Sequence, residues 1–124
     1  MKHEQYLFND DDDESIPNSK LPLLIYKNAF KKRGEEGAEW LEQKFEENNW
    51  TNSWRNGVFD YHHYHSITHE VLGVFSGNAL LNLGGEKGEK LEVSAGDVIV
   101  IPAGVGHKNL ESENFKIVGA YPDG

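Results

Sequence analysis

The sequence contains no cysteine and only one methionine among its 124 residues. Without thiolates there is neither a disulfide framework nor a cysteine-ligated metal site, so any bound metal must be held by histidine and carboxylate side chains. Basic residues are also few, since 12 Lys and Arg stand against 21 Asp and Glu, for a formal net charge of −9. Nucleic-acid binding requires a basic face that neutralises phosphates, so this balance argues against DNA or RNA as a partner.

Long apolar stretches are also missing from the chain. No segment approaches the roughly 18 consecutive apolar residues that a membrane-spanning helix needs, and the N-terminal stretch MKHEQYLFNDDDDE lacks the apolar region of a secretory signal. We therefore expect no membrane partner and, by default, a cytoplasmic location. With 37% hydrophobic residues, including six Phe, five Tyr and three Trp, the chain has enough apolar material for one globular domain.

Two parts of different character meet near residue 53. Residues 1–53 contain the acidic run DDDDE, a polar connector, a short apolar stretch at 21–26 that predicts a strand, and the segment 35–48, whose apolar residues recur at helical spacing. Residues 54–124 consist of short apolar segments separated by Gly or Pro, which is typical of an antiparallel barrel or sandwich. We expect an all-β barrel over 54–124, with an N-terminal extension that adds an edge strand and lays one helix over a face.

Histidine is concentrated in one place, because HHYHSITHE, residues 62–70, holds four of the six histidines. If 58–65 forms a strand, its side chains alternate between two faces, and Tyr61, His63 and His65 share the more aromatic one. The imidazoles of His63 and His65 then point inward from Cα atoms roughly 7 Å apart, which is close enough to bind one ion.

Two further ligand candidates lie downstream. Glu70 opens the next strand, and alternation places it on the same face as Leu72 and Val74. His107 follows GDVIVIPAGVG, in which VIVI is typical of a buried strand that Pro102 ends. If the two stretches pair across a barrel, His107 meets the other candidates and completes a nitrogen and oxygen ligand set. The alternative is that all of them are polar residues on a solvated sheet face.

The order and spacing of these residues resemble the two sequence motifs of the cupin superfamily. The first motif corresponds to Gly57, His63, His65, Glu70 and Gly77, with every spacing met, and the second to Gly96, Pro102, Gly104 and His107. The second motif ends in Asn in the family, whereas this chain has Glu111. The resemblance covers residues 57–111.

The resemblance implies a small jelly-roll (cupin) β-barrel that holds one divalent metal ion through His63, His65, Glu70 and His107. Fe, Mn, Ni, Co and Zn all suit three imidazoles and a carboxylate, and ligand chemistry does not choose among them. In cupin relatives, additions such as residues 1–53 often serve dimer contacts, so a homodimer is implied as well. No particular reaction is implied, because the superfamily includes enzymes, storage proteins and sensor domains.

Other residues of the motif segments have weaker claims to a role. By alternation His62 and His69 face away from the interior, so we expect both at the surface, although His69 could also be a ligand or hydrogen-bond to one. Tyr61 could hydrogen-bond to a bound ligand or protonate it, but a core aromatic is the simpler interpretation.

Pocket-lining and anchoring residues are also expected outside the ligand set. Asn109 and Glu111 share the face of the downstream histidine by alternation, which makes them candidate pocket residues. The chain has three tryptophans, Trp40, Trp50 and Trp54. We expect them to fix the N-terminal segment onto the barrel, and the alternative is that one of them covers the pocket.

Three neutral imidazoles and one carboxylate around a divalent ion give a net charge near +1 and, for an octahedral ion, leave two open positions. Such a centre can polarise a carbonyl, bind an enolate, or hold O₂ beside a chelated substrate. We therefore expect a metal-dependent enzyme that acts on a small oxygen-bearing metabolite by oxygenation or isomerisation. The alternative is a non-catalytic module of the same fold that binds a small ligand.

Overall fold

The computed structural model describes residues 3–7, 23–56, 69–85 and 88–122. Within these ranges the chain forms seven strands and one helix. In chain order the elements are β1 (His3–Tyr6), β2 (Leu23–Tyr26), α1 (Gly34–Glu47), β3 (Trp50–Asn56), β4 (Glu70–Leu83), β5 (Glu89–Ser94), β6 (Val98–Ile101) and β7 (His107–Pro122). The predicted strand 58–65 lies outside the described residues.

All the strands belong to one antiparallel sheet organised around β4. The order is β1-β2-β6-β4-β7-β3, and β5 pairs with the second half of β4. This mostly β architecture is that of the expected jelly roll. Among the described strands the sheet does not close into a complete barrel, since β1 and β3 stand at its two edges.

β4 is bent, and the bend gives the sheet its shape. Its register with β7 shifts twice between Val74 and Asn78, and Gly77 has a φ of +69°. A Cβ at Gly77 would overlap the backbone of Asn114 in β7, so only glycine lets the two strands approach here. The two halves of β4 therefore fold towards each other and enclose an apolar interior.

Two hydrophobic clusters fill the two faces of this sheet. The inner face follows the alternation expected for β4, because Leu72 and Val74 lie in the inner cluster together with Leu81 and Leu83. The outer cluster lies under the helix and comprises Phe30, Ala38, Leu41, Phe45, Val71, Phe75, Val118 and Ala120. Two-sided burial of this kind is what a strand such as β4, apolar on both faces, requires.

The predicted helix over 35–48 is confirmed as α1, which ends at Glu47 with Asn49 at a φ of +65°. Leu41 of α1 contacts Gly73 of β4, where any side chain would overlap it, so the helix packs very close to the sheet. Arg55 of β3 binds two carboxylates of α1, with 2.8 Å between its Nη1 and Glu35 Oε1 and 2.8 Å between its Nη2 and Glu42 Oε1. The described helix is too short and too polar to span a membrane.

β1 and β2 extend the sheet beyond β6, so the N-terminal part contributes two strands where one was expected. Of the three tryptophans, Trp40 and Trp50 pack against the outer cluster as expected. The third, Trp54, packs against the inner cluster instead. The division of the chain into an N-terminal extension, 1–53, and a barrel, 54–124, remains a prediction. β3 runs across the boundary at 53.

Candidate metal centre

Strand register explains how two ligand candidates that are distant in sequence meet. Glu70, the first residue of β4, lies opposite Ile101, the last residue of β6. His107 is the first residue of β7 and lies opposite Leu83 at the far end of β4. The loop 102–106 joins β6 to β7, so it carries the chain from beside Glu70 to His107 while β4 bends beneath it.

The two side chains come together in the interior. His107 Nε2 lies 3.5 Å from Glu70 Oε1, and the side chains are only 5% and 2% exposed. Both predicted positions are therefore inward-facing, and the expectation that His107 meets Glu70 is confirmed. A solvated sheet face is ruled out for these two residues.

Burial has a large effect on the Glu70 carboxyl. Loss of hydration raises the pKa of Glu70 from an ordinary value of 4.5 to about 7, and a hydrogen-bonding interaction with Tyr121 acts in the opposite direction. A carboxyl with this pKa is readily ionised by an added positive charge. At neutral pH both forms of the carboxyl are therefore present, and a cation beside it would favour the ionised one.

The loop between β6 and β7 orients the imidazole of His107. Its Nδ1 lies 3.5 Å from the carbonyl oxygen of Val105, at the outer limit of a hydrogen bond. Because a carbonyl only accepts, this contact favours a proton on Nδ1 and leaves the Nε2 lone pair directed at Glu70.

Three hydrogen bonds hold the loop itself. Val105 N donates to Pro102 O at 3.1 Å, Gly84 N donates to Gly106 O at 2.7 Å, and Ala103 N donates to His69 Nδ1 at 2.8 Å. His69, expected at the surface, is in fact half-buried. Its Nδ1 is occupied by the loop backbone, so its visible role is to support the segment that presents His107.

The remaining members of the predicted ligand set, His63 and His65, lie outside the described residues, as do His62 and Tyr61. Within the part of the chain that the structure describes, no group of three or more His, Cys, Asp or Glu side chains converges. The structure thus brings Glu70 and His107 together, and the role of all four residues as metal ligands stays a prediction.

The two downstream candidates have different positions. Asn109 pairs with the core residue Leu81 and is half-buried, as expected for a residue on the inner face. Glu111 pairs with Leu80 and is exposed, so its assignment to the face of His107 was wrong. The reason is a β-bulge, because two steps along β7 oppose one step along β4 here and the alternation is broken.

Tyr121 is a neighbour of the centre that sequence reasoning did not identify, whereas Trp54 is one of the three tryptophans considered as a cover for the pocket. Burial raises the pKa of Tyr121, and the charge and hydrogen bonding of Glu70 raise it further, whereas Trp54 lowers it. Tyr121 follows Ile117 and Gly119 at alternate positions of β7, and Ile117 is a core residue. Alternation along IVGAY could therefore have placed this tyrosine inside, but it could not have named its partner.

The spacing of the two described donors is compatible with their binding one divalent ion. Two atoms bound to one ion at about 2.1 Å lie roughly 3.0 Å apart in octahedral and 3.4 Å apart in tetrahedral coordination. The 3.5 Å between His107 Nε2 and Glu70 Oε1 is close to these values. An imidazole and a carboxylate buried together in an apolar interior also need a positive charge for the carboxylate to ionise at low cost.

Comparison with known proteins gives a family match and a similar protein. Residues 55–118 match the family model described as a cupin domain. The chain is 45% identical over 126 residues to the uncharacterised protein YjlB of Bacillus subtilis. The alignment covers 100% of this chain and 73% of that protein.

Among solved structures, acireductone dioxygenase from Bacillus anthracis, determined with a cadmium ion in its active centre, is similar with a TM-score of 0.51 at 15% identity, over 82% of this chain and 77% of that chain. A DUF861 family protein from Thermotoga maritima is similar with a TM-score of 0.45 at 21% identity, over 78% of this chain and 96% of that chain. At these identities the likeness concerns the fold.

Proposed function

The chain belongs to the cupin family, and on that premise we propose that it binds one divalent metal ion through His63, His65, Glu70 and His107. We propose further that it is a metal-dependent enzyme that acts on a small oxygen-bearing metabolite, by oxygenation or by isomerisation next to a carbonyl. The observation that carries the proposal is the buried approach of His107 Nε2 to Glu70 Oε1 at 3.5 Å.

The residues around this pair have definable tasks. Glu70 supplies the negative charge that balances part of the cation, and His107 presents a neutral nitrogen through Nε2. The inner cluster, including Leu72 and Leu81, excludes water from the interior and so strengthens electrostatic interactions within it. When bound, the ion would supply Lewis acidity and open positions for the oxygen atoms of a substrate.

Support for a metal comes from the ligand chemistry and from the fold. Imidazole and carboxylate without thiolate suit Fe, Mn, Ni, Co or Zn. The similar dioxygenase from Bacillus anthracis carries a cadmium ion in its active centre. That likeness concerns the fold, so the reaction is proposed from the site and not from the neighbour.

Elemental analysis of protein purified without a histidine tag tests the metal. We expect about one equivalent of a divalent metal in the native protein and none in the double variant His63→Ala, His65→Ala. A matched control replaces two histidines outside the proposed set, His3→Ala and His62→Ala, and should keep the metal. Equal metal content in both double variants would refute the ligand assignment.

An oxygen electrode then separates the enzyme from a binding module. The Fe²⁺ form is offered a panel of enolic and catecholic compounds, and isomerisation of hydroxycarbonyl compounds is followed by NMR. Turnover that requires the metal and is lost in His63→Ala, His65→Ala supports the enzyme. Ligand-induced changes in thermal stability without any turnover would favour the non-catalytic small-ligand module.

A homodimer and a cytoplasmic location belong to the same proposal. The homodimer rests on the family resemblance, and the location on the absence of cysteine from the sequence. Light scattering at micromolar concentration should give twice the chain mass of 14.0 kDa. A clean monomer would refute the dimer, and recovery from a membrane or secreted fraction would refute the location.

A further inference from the structure

A groove lies between the C-terminal half of α1 and the outer face of the sheet, and we call it the outer groove. Its volume is about 460 Å³, which is within the range of small-molecule sites. The sheet contributes Tyr26 of β2, Val98 of β6 and Val71 of β4 to its lining. These three lie close together because Tyr26 pairs with Val98, and Val98 pairs with Gly73, two positions along β4 from Val71. The other side of the groove comes mostly from α1, with Trp50 at the start of β3.

Aromatic rings form much of the lining of the outer groove. The strands carry Tyr26 and Trp50, and the helix carries Trp40 and Phe45. Phe30 stacks on Trp40, with 5.2 Å between the ring centroids and 16° between the ring planes, so the indole of Trp40 is held in place. Rings of this kind bind flat apolar groups through offset-stacked or edge-to-face contacts. The outer groove is therefore suited to an apolar body with a flat shape.

Among the described residues that line the outer groove, the one with a charged side chain is Lys44. Lys44 Nζ lies 5.9 Å from the centroid of the Trp40 ring, so the ammonium group is held against an aromatic side chain. The nearest oxygen of its carboxylate partner, Glu47 Oε1, is 3.9 Å away, and the two side chains are 49% and 52% exposed. An ion pair at this distance and exposure contributes little. A ligand carboxylate can therefore replace Glu47 beside Lys44 at low cost.

We infer that the outer groove binds a small ligand that has a flat apolar body and one carboxylate group, such as an aromatic acid. The ring of the ligand lies among the aromatic side chains, and its carboxylate pairs with Lys44. The chain has a net charge of −9, so a groove whose described lining carries one positive charge and no carboxylate favours an anion over a cation. This site is separate from the proposed metal centre, because Val71 faces the outer cluster while its neighbour Glu70 faces the interior.

Two structural interpretations oppose this inference. Lys44 stands in the last turn of α1, where a cation interacts favourably with the helix dipole without any ligand. Phe45 belongs to the outer cluster, and Trp40 and Trp50 pack against it, so their burial stabilises the fold by itself. Neither interpretation predicts that the groove distinguishes an anion from a neutral or cationic molecule of the same shape. Charge selectivity that depends on Lys44 therefore separates a binding site from a structural role.

Isothermal titration calorimetry tests the inference with three probes of similar shape, 2-naphthoate, 2-naphthalenemethanol and 2-naphthylmethylammonium. We expect the full chain to bind 2-naphthoate at one site, and to bind the alcohol and the ammonium compound more weakly. Lys44→Gln should raise the Kd for 2-naphthoate by roughly 3- to 10-fold, because one exposed charge pair is lost, and leave the Kd for the alcohol unchanged. The matched control Lys116→Gln removes a charge from an exposed position outside the groove and should change neither Kd.

Ala29→Phe is the second variant, which places a ring inside the groove and should abolish binding of 2-naphthoate. Binding should persist in His63→Ala, His65→Ala, because the groove does not use the proposed metal. No saturable binding, equal affinity for the three probes, an unchanged Kd in Lys44→Gln, or loss of binding in the histidine variant would each overturn the inference. Since the side chain of Lys44 is half exposed, Lys44→Gln should keep the fold, which circular dichroism checks, and it decides the outcome even if Ala29→Phe does not fold.

Discussion

Glu70 and His107 are in contact although His107 pairs with Leu83, at the opposite end of the strand that Glu70 begins. If β4 were straight, its 14 residues would separate the two positions by about 40 Å. The bend at Gly77 removes this separation. The candidate centre is therefore a product of the curvature of one strand, and its geometry depends on backbone features remote from the ligands.

Replacement of Glu70 by Gln should change how the stability of the metal-free protein depends on pH. The folded-state pKa of Glu70, about 7, is above its ordinary value of 4.5, so the folded protein holds a proton that the unfolded chain has released. Stability should therefore fall as pH rises from about 4.5 to 7, by up to about 3 kcal/mol. Urea unfolding of both proteins at pH 5 and pH 8 measures this. The prediction fails if Glu70→Gln shows the same pH dependence as the parent.

Asp97 should stabilise the fold more through its hydrogen bonds with backbone N–H groups than through its ion pair with Lys27. This buried carboxylate accepts from Asn28 N at 3.1 Å, from Ser94 N at 2.9 Å and from Lys27 Nζ at 3.1 Å. Asp97→Ala removes the charged acceptor from the partly buried backbone hydrogen bonds of Asn28 and Ser94 and should cost about 2–4 kcal/mol in unfolding free energy. Lys27→Met, at a largely exposed partner, should cost less than about 1 kcal/mol. Denaturant titration compares them, and equal costs would contradict the argument.

Substitutions at Gly73 of β4 and Leu41 of α1 should have coupled effects on stability, because the two residues are in close contact. Gly73→Ala places a methyl group where Leu41 now lies and should destabilise by about 1–3 kcal/mol, while Leu41→Ala empties buried volume and should cost about 2–5 kcal/mol. In the double variant the added methyl occupies part of the vacated space, so the total should fall below the sum. A double-mutant cycle from thermal or urea unfolding measures the coupling. Strict additivity would show that the helix does not rest on Gly73.

His69 should support the metal centre without being one of its ligands. Its Nδ1 accepts from Ala103 N, in the loop that ends at His107. His69→Ala should therefore keep one equivalent of metal but bind it several-fold more weakly, because the loop loses one of its hydrogen bonds. Elemental analysis gives the content and a competitive chelator titration gives the affinity. Complete loss of metal would instead identify His69 as a ligand.

Patterns within single segments predicted most of the elements. The features that they missed depend on the pairing of strands that are distant in sequence. Helical spacing located α1, and alternation placed Glu70 inside, because both are properties of the residues within one segment. The same alternation failed at Glu111, where a bulge depends on the register between β4 and β7. The proximity of Tyr121 to Glu70 depends on that register too, so no spacing within the last strand could reveal it.

The central position of β4 also has a consequence for the newly made chain. The strands that flank it, β5, β6 and β7, all follow it in sequence. During synthesis its apolar inner and outer faces therefore lack these neighbours until β7 has left the ribosome. Chains that stop before β7 would expose a long, unpaired and apolar strand edge and should be the species that aggregate or recruit chaperones.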